Sequence, residues 1–400
     1  MNDEARRNAA YLDAVRSLLP AIRDRAASVE KLGRIPDETV RELDEVGVFR
    51  GLQPRQFGGL ELHAGTFFES VVMLASACAS TGWVAGVVAV HPWEMGLLCE
   101  QAQEELWGTD PLTRLSSSYA PTGSVREVEG GYLLSGQWRF SSGVDLSDWA
   151  ILGGLVPGSK EGDISAFVVN RADFEVDPDS WDVAGLRGTG SKTINIKEAF
   201  VPTHRSHRVS DVARGIIPGW AVNDRPLYHM PWMGGIFTYA IAAPAIGAAT
   251  GALEAYTAQT RGRVSAYGGP PVAGNAGIQF RLAEALADVE DARLRMRATW
   301  DEFYSAIAGG ALLVPSSSRP APATKARALY PAACTRSSAC SRSPAAASCT
   351  CRTPFSDTCA TCSPCETTPW AASNPPPPPT HVRSSNHGKE NRNERSHPAR

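Results

Sequence analysis

A chain of 400 residues carrying a net charge of −3 and 43% hydrophobic residues is long enough for two or three domains and a large core. That balance leaves no basic footprint for nucleic acid, and the charged start MNDEARRNAA does not resemble a secretory leader. The longest apolar window, Met233 to Ala252, is mostly Gly and Ala with Pro244 inside, which suits a tightly packed helix of a soluble cytoplasmic protein better than a membrane span.

In chain order, residues 5–30 predict an amphipathic helix with Leu12, Val15, Leu18, Leu19 and Ile22 on one face. Pro36 opens a second helix, striped by Val40, Leu43 and Val46 and ended by Gly47. GLQPRQFGG, Gly51 to Gly59, is a loop held by Pro54 and the Gly58-Gly59 pair. Helices are expected over 65–80, 82–99 and 101–107, so residues 1–112 form a helical domain.

From Arg114 to about Arg205 the apolar period drops from that of a helix to two, as in WAILGGLV, ISAFVVN and KTINIKEAFVP. Residues 113–206 are therefore expected to be a β-domain. Within it, Arg114 to Ser142 carries three hydroxyls at its start (Ser116, Ser117, Ser118) and two at its end (Ser141, Ser142), with Gly130-Gly131 turning between them. Two hydroxyl-bearing strand ends make a polar rim for a flat ligand; a Ser-rich surface hairpin is the plainer reading. GLRGTGSKT, Gly185 to Thr193, is a glycine-rich turn but no phosphate loop, because no strand-then-helix pattern surrounds it and Lys192 stands at the wrong spacing.

Helix returns near Met230. Met233–Gln259 and Ile278–Ile307 predict two long helices, the second with Leu282, Leu286, Val289, Leu294 and Met296 inward. Residues 207–312 thus form the first half of a bundle, and half a bundle cannot cover its own apolar faces.

Residues 313–400 are of another kind. From 320 onward the only aliphatic residues larger than Ala are Leu329 and Val382, and seven of the nine cysteines fall between Cys334 and Cys365. Such composition predicts disorder. Moving the reading frame back by one nucleotide turns every Cys codon into Leu, Val or Met, and with codons chosen within the degeneracy Ser337–Ala371 reads as an amphipathic sequence. A one-nucleotide frameshift near residues 310–325 is the expectation. It removes the apparent ligand set of Cys349, Cys351, Cys359, Cys362 and Cys365, and no metal site is expected.

Helical domain, β-domain, helical bundle resembles the layout of the acyl-CoA dehydrogenase fold, an α+β architecture. ASTGWVAGVVAVHPWEM, RLSSSYAP, GQWRFSSG, VAGLRGTGS and YHMPW are similar to the oxygenase components of two-component flavin-dependent phenol hydroxylases, the group of the secosteroid and para-hydroxyphenylacetate hydroxylase oxygenases. The match spans roughly residues 10–310. The resemblance implies that a separate NAD(P)H-dependent reductase supplies reduced FMN or FAD, and that O₂ forms a C4a-hydroperoxyflavin shielded from water. A phenolic substrate is then hydroxylated ortho to its hydroxyl. It also implies a homotetramer.

Residue by residue, the resemblance assigns Trp83, Ser117, Ser118, Tyr119, Phe140, Ser141 and Ser142 to the flavin ring, with Ser142 the hydroxyl near its reactive edge. Arg263 matches an arginine that contacts flavin phosphate, often from a neighbouring subunit. Read unaided, the serines are equally strand-end caps, Trp83 a core residue and Arg263 a solvated helix-end charge. His91 is the candidate to orient or deprotonate the phenol, against the alternative of a structural helix-end histidine.

One departure matters. The family carries a second histidine in its last helices, and here only the shifted frame reads His at the codon straddling Thr368. The chain as written is therefore expected to be inactive or poorly folded. Three alternatives stand beside this reading: an acyl-CoA dehydrogenase, for which no matching Glu is evident; a nitrogen or sulfur monooxygenase; and a non-catalytic relic of the fold whose tail binds a partner.

Overall fold

The computed structural model describes residues 3–159, 163–265 and 268–311. The expected tail, 313–400, with its frameshift, its cysteines and Thr368, lies outside the described residues.

Helix α1 (Asp3–Leu32) buries Tyr11, Val15, Ile22 and Val29, a single stripe at helical spacing. Helix α2 (Asp37–Val46) starts after Pro36 and stops at Gly47, whose φ of 84° lets its N–H reach back to the Leu43 and Asp44 carbonyls. Helices α3 (Ala64–Ala77) and α4 (Ala79–Val88) are apolar almost all round, and α3 is the buried centre of the helical layer. Short helices α5 (His91–Met95) and α6 (Glu100–Trp107) complete it. The expected helix over 82–99 is thus broken. Pro92 has no N–H to donate to the preceding turn, so α4 ends and α5 restarts with Pro in its first turn. His91 consequently opens a helix instead of closing one.

The β-domain is two four-stranded sheets. One has the order β1 (Leu115–Ser118), β4 (Trp149–Gly154), β5 (Ser165–Asn170), β8 (Ser206–Arg208). The other has the order β2 (Ser124–Val128), β3 (Gly131–Ser141), β7 (Lys192–Pro202), β6 (Glu175–Asp177). The β1–β4 pair is parallel; the expected hairpin at Gly130-Gly131 is the antiparallel β2–β3 pair. Trp138, Leu134, Phe167, Ile194 and Val201 fill the space between the sheets, and the Trp138 indole N–H donates to the Gly153 carbonyl at 2.8 Å.

After α7 (Val209–Ala213) the chain reaches α8 (Phe237–Gly262) and α9 (Ala276–Ala308). The stretch Trp232–Gly262 is long and apolar enough, by length and composition, to cross a membrane. Its small residues have another use: they let α8 press against α3. A Cβ on Gly247 would lie 2.3 Å from the Val72 carbonyl oxygen, so only glycine permits this approach. The expected inner face of α9 is partly wrong. Leu286 and Leu294 are about half exposed, while Met296, Trp300 and Phe303 are buried. Trp300 stacks on Phe68 at 5.1 Å, and Arg293 and Arg297 both bind Glu69 of α3. The C-terminal half of α9 therefore makes the contact that the periodicity assigned to its middle.

Gly247→Ala is expected to destabilise the protein by about 1–3 kcal/mol through overpacking. The urea midpoint should fall with an unchanged slope, and an unchanged midpoint would mean that α8 does not sit this close to α3.

Candidate active site

Four elements bring hydroxyls together: the end of β1, the end of β3, the turn before β7, and α4 through Trp83. The Trp83 Nε1–H donates to Ser142 Oγ at 3.0 Å. Ser142 Oγ lies 2.8 Å from Ser191 Oγ, which lies 2.7 Å from Thr189 Oγ1. Thr189 donates to the Leu186 carbonyl at 2.8 Å. The last bond fixes the direction of the rest. Thr189 has one proton and gives it to a carbonyl, so Ser191 donates to Thr189 and Ser142 donates to Ser191. Ser142 has then used its proton, and beyond the Trp83 bond it retains one lone pair for a donor.

Around this relay the other predicted residues take different positions. Ser118 donates to the Arg139 carbonyl at 2.7 Å and ties the two sheets together. Ser116 and Ser141 are buried with hydroxyls that find no partner among the described residues, which marks them as groups awaiting one. Ser117 lies half-buried on β1, two residues before Tyr119. Phe140 is 61% exposed and held at a φ of 65°, so its ring stands out on the rim at a bulged strand end. Arg263 follows α8, is exposed, and makes no side-chain contact with the cluster among the described residues. Thr189 and Ser191 went unrecognised in the sequence, although their hydroxyls sit inside the glycine-rich turn that was set aside as no phosphate loop.

A second group lies beside the first, linked through Tyr119. Glu94 is completely buried. Its Oε1 accepts from His207 Nε2 at 2.8 Å. Its Oε2 accepts the Tyr119 hydroxyl and lies 3.6 Å from His91 Nδ1. Burial pushes this carboxyl up, but the hydrogen bond from His207 and the nearness of the His207 and His91 rings outweigh it and hold the group down to about 2. Burial, then the charge and hydrogen bond of Glu94, drives the Tyr119 phenol well above its ordinary value, so it stays a donor. His91 is 1% exposed, and neither ring nitrogen has a hydrogen-bond partner among the described residues. Tyr119 and Phe237 lie 6.3 Å and 6.2 Å from its ring, and Trp232 packs on Phe237 and His207 at 5.1 Å and 5.0 Å. A histidine with unused nitrogens among aromatic walls can hold an aromatic hydroxyl.

Glu94 and His207 were not singled out in the sequence. For Glu94 a signal existed: His91 and Glu94 are three apart, which on a helix is one face. His207 had none, since β8 brings it across from another domain.

Helices that precede and follow a two-sheet β-domain in the chain and pack together into one helical layer, with a hydroxyl-lined rim where that layer meets the sheets, define a protein of the acyl-CoA dehydrogenase fold. Residues 239–347 match the acyl-CoA dehydrogenase C-terminal domain family. The chain is 43% identical over 301 residues to the flavin-dependent monooxygenase oxygenase subunit HsaA of Mycobacterium tuberculosis, covering 75% of this chain and 76% of that protein. The crystal structure of that HsaA superposes with a TM-score of 0.71 at 42% identity, over 76% of this chain and 78% of the other. The oxygenase component of p-hydroxyphenylacetate 3-hydroxylase from Acinetobacter baumannii is 34% identical, covering 73% and 69%. That of the FADH(2)-dependent resorcinol hydroxylase from a Rhizobium species is 37% identical, covering 68% and 67%. The chain belongs to the family of flavin-dependent monooxygenase oxygenase components. The residues present fit a reduced flavin: the remaining Ser142 lone pair, the Trp83 indole bonded to Ser142 and the exposed Phe140 ring make the rim.

Glu94 also predicts an acid response. Its folded value lies below the ordinary 4.5, so its contribution to stability is complete above that pH and is lost as pH falls towards 2. Urea midpoints measured across this window should fall in the wild type and fall less steeply in Glu94→Gln; parallel curves would show that the buried charge contributes no such dependence.

Proposed function

We propose that this chain is the oxygenase half of a two-component system that hydroxylates a phenolic substrate ortho to its hydroxyl. A separate NAD(P)H-dependent reductase supplies the reduced FMN or FAD. The observation that carries this reading is His91, buried, with both nitrogens lacking a hydrogen-bond partner among the described residues, beside Tyr119 and Phe237, on which Trp232 packs. A phenol is the ligand whose hydroxyl such a nitrogen would accept and whose ring such walls would hold.

Bound reduced flavin supplies the oxygen chemistry. The chain's own residues do the rest. Ser142, with Trp83 donating to it and its proton directed to Ser191, offers a lone pair to a flavin N–H. Ser116, Ser117, Ser118 and Ser141 line the rim as donors and acceptors, and Phe140 and Tyr119 flank it. His91 orients the substrate and takes its proton. The aromatic walls keep water from the reacting atoms.

A homotetramer and a cytoplasmic location belong to this reading. Exposed apolar residues on α8 and α9, Ile241, Tyr256, Phe280 and Leu286, support an assembly, and Arg263 would serve a neighbouring subunit's flavin. The frameshift reading is retained as part of the proposal: the natural parent carries in-frame helices in place of residues 313–400, and sequencing the gene with its neighbouring frames tests that directly.

Anaerobic titration with reduced and oxidised flavin, then mixing with O₂ and a phenol, tests the function on this chain and on the frame-restored one. In the frame-restored chain reduced flavin should bind the more tightly and yield a catechol-type product, and the chain as written should do so poorly or not at all. Trp83→Phe should weaken reduced-flavin binding about five- to tenfold, the loss of one hydrogen bond. His91→Ala should cut hydroxylation by at least about 10²-fold while peroxide release rises. Tight binding of oxidised flavin, bleached by an acyl-CoA, would replace the reading with a dehydrogenase.

A further inference from the structure

Among the described residues no hydrogen bond holds the His91 ring, which is a poor arrangement for a residue that must aim at a substrate. What stands nearest its Nδ1 is Glu94. Both belong to α5, three residues apart and so on one face. The 3.6 Å between Nδ1 and Oε2 is just beyond a hydrogen bond, and a small rotation of the ring closes it, as catalytic bonds commonly tighten only when substrate is present. We propose that Glu94 is a positioning residue for the reaction, holding His91 through Nδ1–H so that Nε2 is the nitrogen presented to the phenol hydroxyl. The proposal rests on the phenol-hydroxylating reading above and deepens it.

Three observations carry it. First, Glu94 is buried without any solvent access, yet both its oxygens are held: Oε1 by His207 Nε2 and Oε2 by the Tyr119 hydroxyl. A carboxylate fixed from two other elements is a rigid reference against which a third group can be aligned. Second, Nδ1 and Nε2 of His91 are both orphaned while buried, and only a donor bond from Nδ1 to Glu94 leaves Nε2 as a lone-pair acceptor. Third, the alternative role of Glu94, pinning the helical layer to the β-domain, is already met by His207 and Tyr119 and does not require His91 within reach of the same oxygen.

The groups facing Glu94 are His91 on its own helix, Tyr119 after β1, and His207 on β8. Trp232 and Phe237, packed beside them, bring no titratable group. A negative charge on the Nδ1 side favours the imidazolium that forms when Nε2 takes the substrate proton. Removing it leaves His91 a weaker base and the phenol protonated.

The test uses the full chain under anaerobic conditions with reduced flavin and 4-nitrophenol, whose phenolate absorbs in the visible while its phenol does not. Wild type should bind the probe largely as phenolate at neutral pH. In Glu94→Gln the bound phenolate fraction should fall about tenfold, the effect of one unit of basicity, with its pH midpoint displaced upward and reduced-flavin affinity unchanged. In a His91→Ala background the same substitution should change nothing further, since the effect runs through His91. Should Glu94→Gln lose its near-UV circular dichroism, Glu94→Asp is read in its place: it keeps a charge for Tyr119 and His207 but shortens the reach to His91, and the same fall is expected. If the folded variant binds phenolate as wild type does, Glu94 is structural only and the proposal fails while the phenol reading stands. If wild type binds no probe, or binds it only protonated, both fail together.

Discussion

A carboxylate removed entirely from water is a constraint that the surrounding structure must satisfy. An isolated buried charge is costly enough that proteins neutralise or pair it, so the presence of Glu94 at the meeting of three segments dictates what those segments carry. β1 leads into Tyr119, β8 delivers His207, and α5 holds Glu94 and His91 on one face. None of these positions makes sense alone. A histidine on a three-residue edge strand is unremarkable until its Nε2 is found on a carboxylate more than a hundred residues earlier. The charge thereby fixes the seam between the helical layer and the β-domain, and the candidate site lies on that seam.

The helical side of the seam owes its shape to small residues. Gly247 lets α8 meet the backbone of α3, and a Cβ on Gly86 of α4 would crowd the Ala240 carbonyl at 3.0 Å and Pro244 at 3.1 Å. Close backbones leave the aromatic residues to be placed by what precedes α8. Met233, Gly234 and Gly235 leave helical geometry there, with Gly234 at a φ of 82°, so the chain turns into α8 with Trp232 already packed on Phe237 and His207. Gly234, two residues after Trp232, is the local reason an aromatic wall stands at this point, because residues with a Cβ resist the positive φ the turn requires.

Much of this was legible in the sequence because it is periodic or local. The domain order, the hairpin at Gly130-Gly131, the helix stop at Gly47 and the family resemblance of the TGW, SSY and FSS segments all rest on neighbours in the chain. Trp83 and Ser142, both assigned to the flavin ring by the resemblance, are joined by a hydrogen bond. What was not legible is long-range. No pattern marks His207 as a partner for Glu94. The unbroken helix over 82–99 was expected because VAGVVAV and WEMGLL are both apolar, and only Pro92 records the break. The inward stripe of α9 was misplaced for a related reason. Hydrophobic spacing reports which face is apolar but not which half of a long helix finds a partner, and Trp300 finds Phe68 where Leu286 finds solvent. Whether Arg263 reaches a flavin is likewise a question of assembly, which a single chain does not encode in its own spacing.

The two groups at the seam differ in kind, and the difference suits what each must hold. The rim is made of neutral hydroxyls whose protons run one way, from Trp83 through Ser142, Ser191 and Thr189 to the Leu186 carbonyl. Such a relay is inflexible: reversing it would leave the Leu186 carbonyl and one hydroxyl mismatched, so Ser142 is held as an acceptor. A ligand that presents an N–H is favoured over one that presents a lone pair at the same place, and reduced flavin differs from oxidised flavin in that respect. Beyond Tyr119 the groups are titratable: Glu94 accepts from Tyr119 and His207 and stands 3.6 Å from His91 Nδ1. The rim offers a neutral acceptor and its neighbour a buried carboxylate, so two separate chemistries meet at one seam.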